Sequence, residues 1–250
     1  MTSDRALAVI LGRGGSKGLP GKNAAIVGGR ECVRWTIDDA RSARVVGRIG
    51  LSTDDAALQA IGFESGIDVI ARPADLASDA ATVDAAARHA VQALGDPAEI
   101  IVILYANVPL RPKGLIDRAV RTLVETGADS AQSYAPVGKH HPWWTARVGA
   151  DGDLVRPWEG EALNHGVFRR QDLPPAVIPD GGVIAVTRAA LFLEVVGVDP
   201  KSPHAFFGKD RRGVLTAEGE VVDIDSRIDL LVADALLRER EGAAVAGAAR

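Results

Sequence analysis

Leu11 to Asn23 reads Leu-Gly-Arg-Gly-Gly-Ser-Lys-Gly-Leu-Pro-Gly-Lys-Asn and directly follows a short apolar run. Glycines at 12, 14, 15, 18 and 21 permit positive φ and close approach of backbone N–H groups to an anion, and Arg13, Lys17 and Lys22 add charge. The combination predicts a triphosphate cradle built from Gly12, Arg13, Gly14, Gly15, Ser16, Lys17 and Lys22. A Walker A loop would need Gly at 16, which is Ser, and Ser or Thr after Lys22, which is followed by Asn23. A dinucleotide fingerprint would place its third glycine at 17, which is Lys, and Leu19-Pro20 would interrupt the helix that should follow.

Far along the chain, Asp223-Ile224-Asp225 ends an apolar run beginning at Val221. Alternation in a strand would set both carboxylates on one face, and two convergent carboxylates beside substrate phosphates suit Mg2+. The same segment could cap the next helix through Asp225 or Ser226, and capping does not exclude metal binding. Asp54-Asp55 reads first as a helix cap. The adjacent His140 and His141 point apart and lack partners at zinc-site spacing, and Cys32 reads as a small helix residue.

These groups need a scaffold. A chain of 250 residues with 47% apolar content and 25% charge can bury one α/β core. A net charge of −4 argues against nucleic acid as a partner, so the basic loop should serve a small anion. A single cysteine excludes an internal disulfide, and Ala6–Leu11 is too short for a signal core or a membrane span, so a cytoplasmic protein is expected.

Strands are expected at Leu7–Leu11, Ile49–Leu51, Ile67–Ile70, Glu99–Tyr105, Asp129–Tyr134, Gly182–Thr187 and Val221–Ile224. Helices are expected around Val33–Arg44, after Asp55, at Ala80–Leu94 with Asp79 as N-cap, at Lys113–Glu125, and from Ser226 to about Arg240. The alternation implies a Rossmann-like α/β fold with a doubly wound, mostly parallel sheet, which places ligands at the carboxyl ends of strands. Residues 135–178 break the pattern and read as an insertion, 201–213 as a basic loop, and the tail 243–250 should fray. Trp143, Trp144 and Trp158 in the insertion could form a satellite core, or a surface for a second subunit or a sugar.

Taken together these motifs resemble the CMP-sugar synthetases typified by acylneuraminate cytidylyltransferase. Gly12 to Asn23 matches that family's opening motif at all but two positions. The likeness continues through Ser52-Thr53-Asp54-Asp55, Arg72-Pro73, Leu76-Ala77, Asp79, Pro109-Leu110-Arg111, Arg169 to Pro174, and Val222 to Ser226. The resemblance implies a nucleotidyltransferase fold, an inserted dimerisation region and a homodimer. It also implies Mg2+-dependent transfer of CMP from CTP to the anomeric hydroxyl of an acidic 2-keto sugar, with pyrophosphate leaving. By the same resemblance Arg13 and Lys22 face the leaving group, Asn23, Arg72 and Thr82 read the nucleotide, Asp223 and Asp225 hold the metal, and Arg170 and Gln171 lie on the sugar side.

Two departures bear on the acceptor. Tyr105 stands where sialic-acid enzymes carry a sugar-contacting glutamine, in a segment that also brings Asn107, and Ile184 replaces a tyrosine, with Asp180 in place of an amide. Exchange of paired polar groups alters selectivity strongly, so an acceptor other than N-acetylneuraminate is expected. Transfer to a different acceptor, or nucleotide binding without catalysis, are the competing readings.

Overall fold

A computed structural model describes residues 5–248 except 17, 151 and 153, with residues 241–248 as backbone only. The expected triphosphate contact Lys17 therefore lies outside the described residues. A seven-stranded sheet carries the fold. Its elements are β1 (Ala6–Leu11), α1 (Cys32–Ser42), β2 (Val46–Thr53), α2 (Ala56–Glu64), β3 (Asp68–Ala71), α3 (Val83–Leu94), β4 (Ile100–Tyr105), α4 (Leu115–Thr126) and β5 (Ser130–Pro136). A hairpin of β6 (Ala146–Val148) and β7 (Val155–Pro157) precedes β8 (Val177–Thr187), β9 (Arg211–Leu215) and α5 (Arg227–Ala248). The strand order is β9-β5-β8-β4-β1-β2-β3, and β8 alone runs antiparallel to its neighbours.

The continuous apolar run of β1 is buried on both faces, as a central parallel strand requires. Ala8 and Ile10 join a core with Val33 and Ile37 of α1, Leu58 of α2 and Leu123 of α4. Leu7, Val9 and Leu11 pack on the other side with Ala87 and Val91 of α3 and with Phe206 and Phe207. A third cluster seats α5, through Ala233 and Leu237, on Val27, Trp35, Leu110 and Ile224.

Local signals fix many boundaries. Asp55 caps α2, accepting from the amides of Ala57 and Leu58. Left-handed glycines flank α4, Gly114 at φ 76° and Gly127 at φ 65°. Ser226 and Asp229 cap α5 reciprocally, the Ser226 amide and hydroxyl donating to Asp229 Oδ2.

Three expectations are corrected. α3 starts at Val83, three residues late, because Thr82 Oγ1 accepts from the Ala85 amide while Asp79 is drawn to Arg13 at 2.8 Å. Part of the basic loop is the edge strand β9, parallel to β5, whose Arg211-Arg212-Gly213 start suits a solvent-facing edge. Val221–Ile224 is no strand of the sheet. It makes one bridge, Val222 to Leu110, and the Ile224 amide donates to the Asn107 carbonyl, so its partners belong to the loop beyond β4. The backbone of residues 243–248 continues α5. Residues 249 and 250 lie outside the described residues.

Among the described residues the insertion contributes no side chain to the hydrophobic clusters, and its order comes from polar and ring contacts around His141. His141 accepts the Trp143 amide at Nδ1 and places Nε2 3.1 Å from the Pro174 carbonyl, so it is structural. Trp143 stacks on His165 and Trp144 Nε1 donates to Val167, whereas Trp158 is 54% exposed. Cys32 is buried, which pushes its thiol up to about 12 and leaves it inert. Among the described residues no helix is long and apolar enough to cross a membrane.

One charged side chain ties these parts together. Arg111, 2% exposed, donates through Nε to the Gly182 carbonyl, through Nη1 to Thr36 Oγ1 and the Val108 carbonyl, and through Nη2 to the Tyr105 carbonyl. Asp39 lies 3.4 Å from Nη1. Exchange of Arg111→Met would strand these acceptors in the interior, and urea unfolding should show a loss of about 3–5 kcal/mol. A loss under about 1 kcal/mol would mean that the surrounding carbonyls find water instead.

Candidate active site

Gly12, Asp54, Arg72 and Asn107 follow the carboxyl ends of β1, β2, β3 and β4, and together these ends form one rim of the sheet. A 490 Å³ cleft lies on that rim, lined among others by Arg13, Ser16, Lys22, Asn23, Arg72, Thr82, Tyr105, Asn107 and Asp225. Nine of the residues singled out from sequence are thereby brought into one cavity.

The glycine-rich loop works differently from its expected form. Of the glycines at 12, 14, 15, 18 and 21, Gly21 alone has positive φ, at 70°. Gly12 and Gly18 are required by close approach. A Cβ at Gly12 would lie 2.8 Å from Ala106 Cβ, and one at Gly18 would lie 2.6 Å from the Asp225 carbonyl oxygen. The Gly12 amide donates to the Ser52 carbonyl and the Gly14 amide to Asp54 Oδ1, so neither is free to hold a phosphate. Gly15 has open space around it, and Ser16 lines the cleft. Asn23 is buried and donates to the Arg13 carbonyl, fixing the loop from beneath.

The cations are held by carboxylates. Lys22 Nζ pairs with Asp225 Oδ1, which joins loop and C-terminal segment across the sequence. Arg13 reaches Asp79 Oδ1 at 2.8 Å and the Ala77 carbonyl at 3.4 Å. Arg72 is 8% exposed and donates Nε and Nη2 to Ser52. Burial lowers the Arg72 pKa, opposed by the nearby Asp54 carboxylate, and the guanidinium stays charged.

Asp225 lines the cleft and Asp223 does not, but the Asp225 charge still acts on Asp223 although their segment is not a sheet strand. Asn107 Nδ2 donates to Asp223 Oδ1 and to the Ile224 carbonyl, so Asn107 orients a carboxylate. Burial first, and the Asp225 charge second, push Asp223 up to about 6. That residual repulsion is what a bound cation relieves, and two carboxylates with substrate phosphates are a donor set suited to Mg2+. Among the described residues no cluster of three or more His, Cys, Asp or Glu forms a fuller metal cage.

Next to the cleft, a 690 Å³ cavity shares Ala81, Thr82, Val83 and Tyr105 with it. Ile184, Gln132, Tyr134, His204, Phe206 and Phe207 complete much of its wall. Burial and the Asp223 charge push the Tyr105 phenol up to about 12, keeping it a neutral donor between the two spaces. Arg170 and Gln171 line neither cavity. They occupy an exposed turn in the insertion, where Arg170 pairs with Glu218 at 2.8 Å.

Some contributors escaped the sequence reading. Asp180 knits a register shift in β8, accepting from the Gly182 amide, Thr216 Oγ1 and Ser133 Oγ. The shifted segment puts Gly181 against Asp223 and Tyr105. Phe206-Phe207 was the available signal for the second cavity, being adjacent aromatics in a chain with five phenylalanines.

Comparison with known proteins follows the same outline. Residues 7–148 match a family described as cytidylyltransferase. Over 247 residues the chain is 28% identical to N-acylneuraminate cytidylyltransferase of Streptococcus agalactiae, covering 95% of this chain and 56% of that protein. Thus it spans little more than half the length of the streptococcal relatives. Over 250 residues it is 27% identical to CMP-N,N'-diacetyllegionaminic acid synthase of Legionella pneumophila, covering 96% of this chain and 100% of that protein. The solved structure of CMP:2-keto-3-deoxy-manno-octonic acid synthetase complexed with CTP superposes with a TM-score of 0.69 at 17% identity, covering 94% and 99% of the two chains, which is a likeness of fold.

The raised pKa of Asp223 has a measurable sign. The folded protein binds the Asp223 proton more tightly than the unfolded chain, whose carboxyl titrates at 3.8, so this group lowers stability as pH rises from there to about 6. In metal-free buffer, Asp223→Asn should gain on the native protein over that window and keep a constant lead above it, measured by urea unfolding. A difference that does not vary with pH would show that the Asp223 carboxyl is not perturbed.

Proposed function

The chain belongs to the cytidylyltransferase family, and from that premise we propose that it transfers CMP from CTP to the anomeric hydroxyl of an acidic 2-keto sugar, as a CMP-sugar synthetase. The observation that carries this reading is the Lys22–Asp225 pair, which closes a cationic loop onto a two-carboxylate segment at the rim of the sheet. A protein that only stored a nucleotide would have no use for that juxtaposition.

In this reading Arg13 and Lys22 face the β- and γ-phosphates and neutralise the charge that grows on departing pyrophosphate. Ser16 and the backbone at Gly15 contribute polar contacts, while Asn23, Arg72 and Thr82 surround the nucleoside. Asp223 and Asp225 would hold Mg2+, which when bound supplies Lewis-acid polarisation of the α-phosphate. The acceptor oxygen forms a bond to the α-phosphorus, the bond from that phosphorus to the bridging oxygen breaks, and pyrophosphate leaves with the electron pair. Asp223, steered by Asn107, orients the acceptor hydroxyl.

The second cavity is the acceptor side. Its aromatic and aliphatic wall, including Phe206, Phe207 and Ile184, suits the apolar face and acyl groups of a modified sugar acid, with Tyr105 as the polar contact at the junction. Arg170 and Gln171 reach an acceptor only if the insertion of a partner subunit supplies them. The insertion also carries exposed apolar side chains, with Phe168 at 89% exposure beside Val148, Trp158 and Ile178, which supports a homodimer formed through residues 135–178. The cytoplasm, where CTP is available, is the compartment this reaction requires.

Pyrophosphate release should appear with CTP, Mg2+ and a 2-keto sugar acid from a panel, and should fall at least about 10²-fold in Asp225→Asn. Turnover with UTP or GTP but not CTP would overturn the cytidylyl assignment, and CTP binding without release from any acceptor would overturn catalysis. Light scattering should give twice the 26.2 kDa chain mass, and Phe168→Glu should shift it toward one. A monomeric native protein would remove the insertion from the interface.

A further inference from the structure

A second charged cavity, sharing no lining residue with the cleft, is walled by the end of α1, Arg111, the start of α4 and Arg240 of α5. It holds 630 Å³ and is lined by seven cationic and three carboxylate side chains, in a chain whose net charge is −4. The carboxylates are already engaged. Asp38 pairs with Arg30 and Arg41, Asp39 faces Arg111, and Asp117 Oδ1 accepts from the Val45 amide. Arg44, Lys113, Arg118 and Arg121 have no carboxylate at ion-pair distance among the described residues, and Arg240 reaches the Arg111 carbonyl at 3.5 Å.

Three features make this more than a solvated basic face. Arg118 and Arg121 are three apart on α4 and project from neighbouring positions, while Arg44 and Lys113 approach from other segments, so the charges surround a volume. The floor is the buried Arg111, whose positive charge is offset by one carboxylate at 3.4 Å and so adds positive potential to the cavity. The 12-residue α4 opens onto the same space with no side chain capping its first turn.

The geometry points to a second anion site, separate from the catalytic cleft, for a small chain of linked phosphates such as a di- or triphosphate. A single phosphate would engage two or three of the cations, whereas five presented around 630 Å³ match an extended ligand with several charges. Inorganic polyphosphate and the phosphate chain of a nucleotide share that chemistry. The inference concerns binding alone and does not depend on the proposed reaction.

Calorimetric titration of the full chain with tripolyphosphate, at low salt and without metal, tests it. Native protein should bind two equivalents, and Arg13→Ala/Lys22→Ala should keep one. Arg118→Glu/Arg121→Glu, at exposed positions, should also keep one equivalent and retain CTP binding. The milder Arg118→Gln/Arg121→Gln should weaken the second site by about tenfold. Pyrophosphate and GTP serve as competitors. Equal displacement by both identifies the phosphate chain as the recognised group, and stronger displacement by GTP adds the nucleoside. A single native equivalent that survives in Arg118→Glu/Arg121→Glu, two equivalents in that variant, or equally tight orthophosphate would overturn the inference.

Discussion

A guanidinium buried at the end of the sheet is the constraint on which the rim carrying the cleft depends. Arg111 reaches backbone oxygens at the end of β4, in the loop after it and in the irregular part of β8, and a hydroxyl of α1. Removing such a charge from water is costly, and burial lowers its pKa while Asp39 opposes the shift. The arrangement persists because the donors meet acceptors that would otherwise be unpaired. Tyr105 and Asn107 belong to the loop so fastened, and through Asn107 the position of Asp223 is set as well.

The site is a chain of such dependencies. Asp180 holds the shifted segment of β8, which brings Gly181 close to Asp223. The close approach of Gly18 to the Asp225 carbonyl seats the basic loop on the same C-terminal segment. A side chain at Gly18 would push that segment away, whereas at Gly181 it is the positive φ of 76° that favours glycine.

Elements with a local cause were legible in the sequence. β1 is a short run of apolar residues, Asp55 sits where an N-cap belongs, and α4 has an apolar stripe bounded by glycines. What escaped was decided at long range. Arg211–Leu215 looks like a loop, and pairing with β5 makes it a strand. Val221–Ile224 looks like a strand, and its hydrogen-bond partners lie in a loop. Asp79 has a cap's character, yet Arg13 claims it. The charge types of the cleft were readable from the loop and from Asp223-Ile224-Asp225, but the contact between Lys22 and Asp225 spans 203 positions and no local pattern encodes it. Asp180 drew attention as a departure from a family pattern, whereas its work is internal to the strand.

The pairing of Arg13 with Asp79 and of Lys22 with Asp225 makes the cleft an ion exchanger. An incoming polyphosphate does not meet bare cations. It would have to displace the chain's own carboxylates, so part of its attraction would be cancelled by the two pairs it breaks and the net gain would be smaller than two unpaired cations would give. In the proposed reaction Asp225, once freed, would become available for a cation as the phosphates arrive. Nucleotide and metal would then favour each other's binding through Lys22 and Asp225, which change partners together.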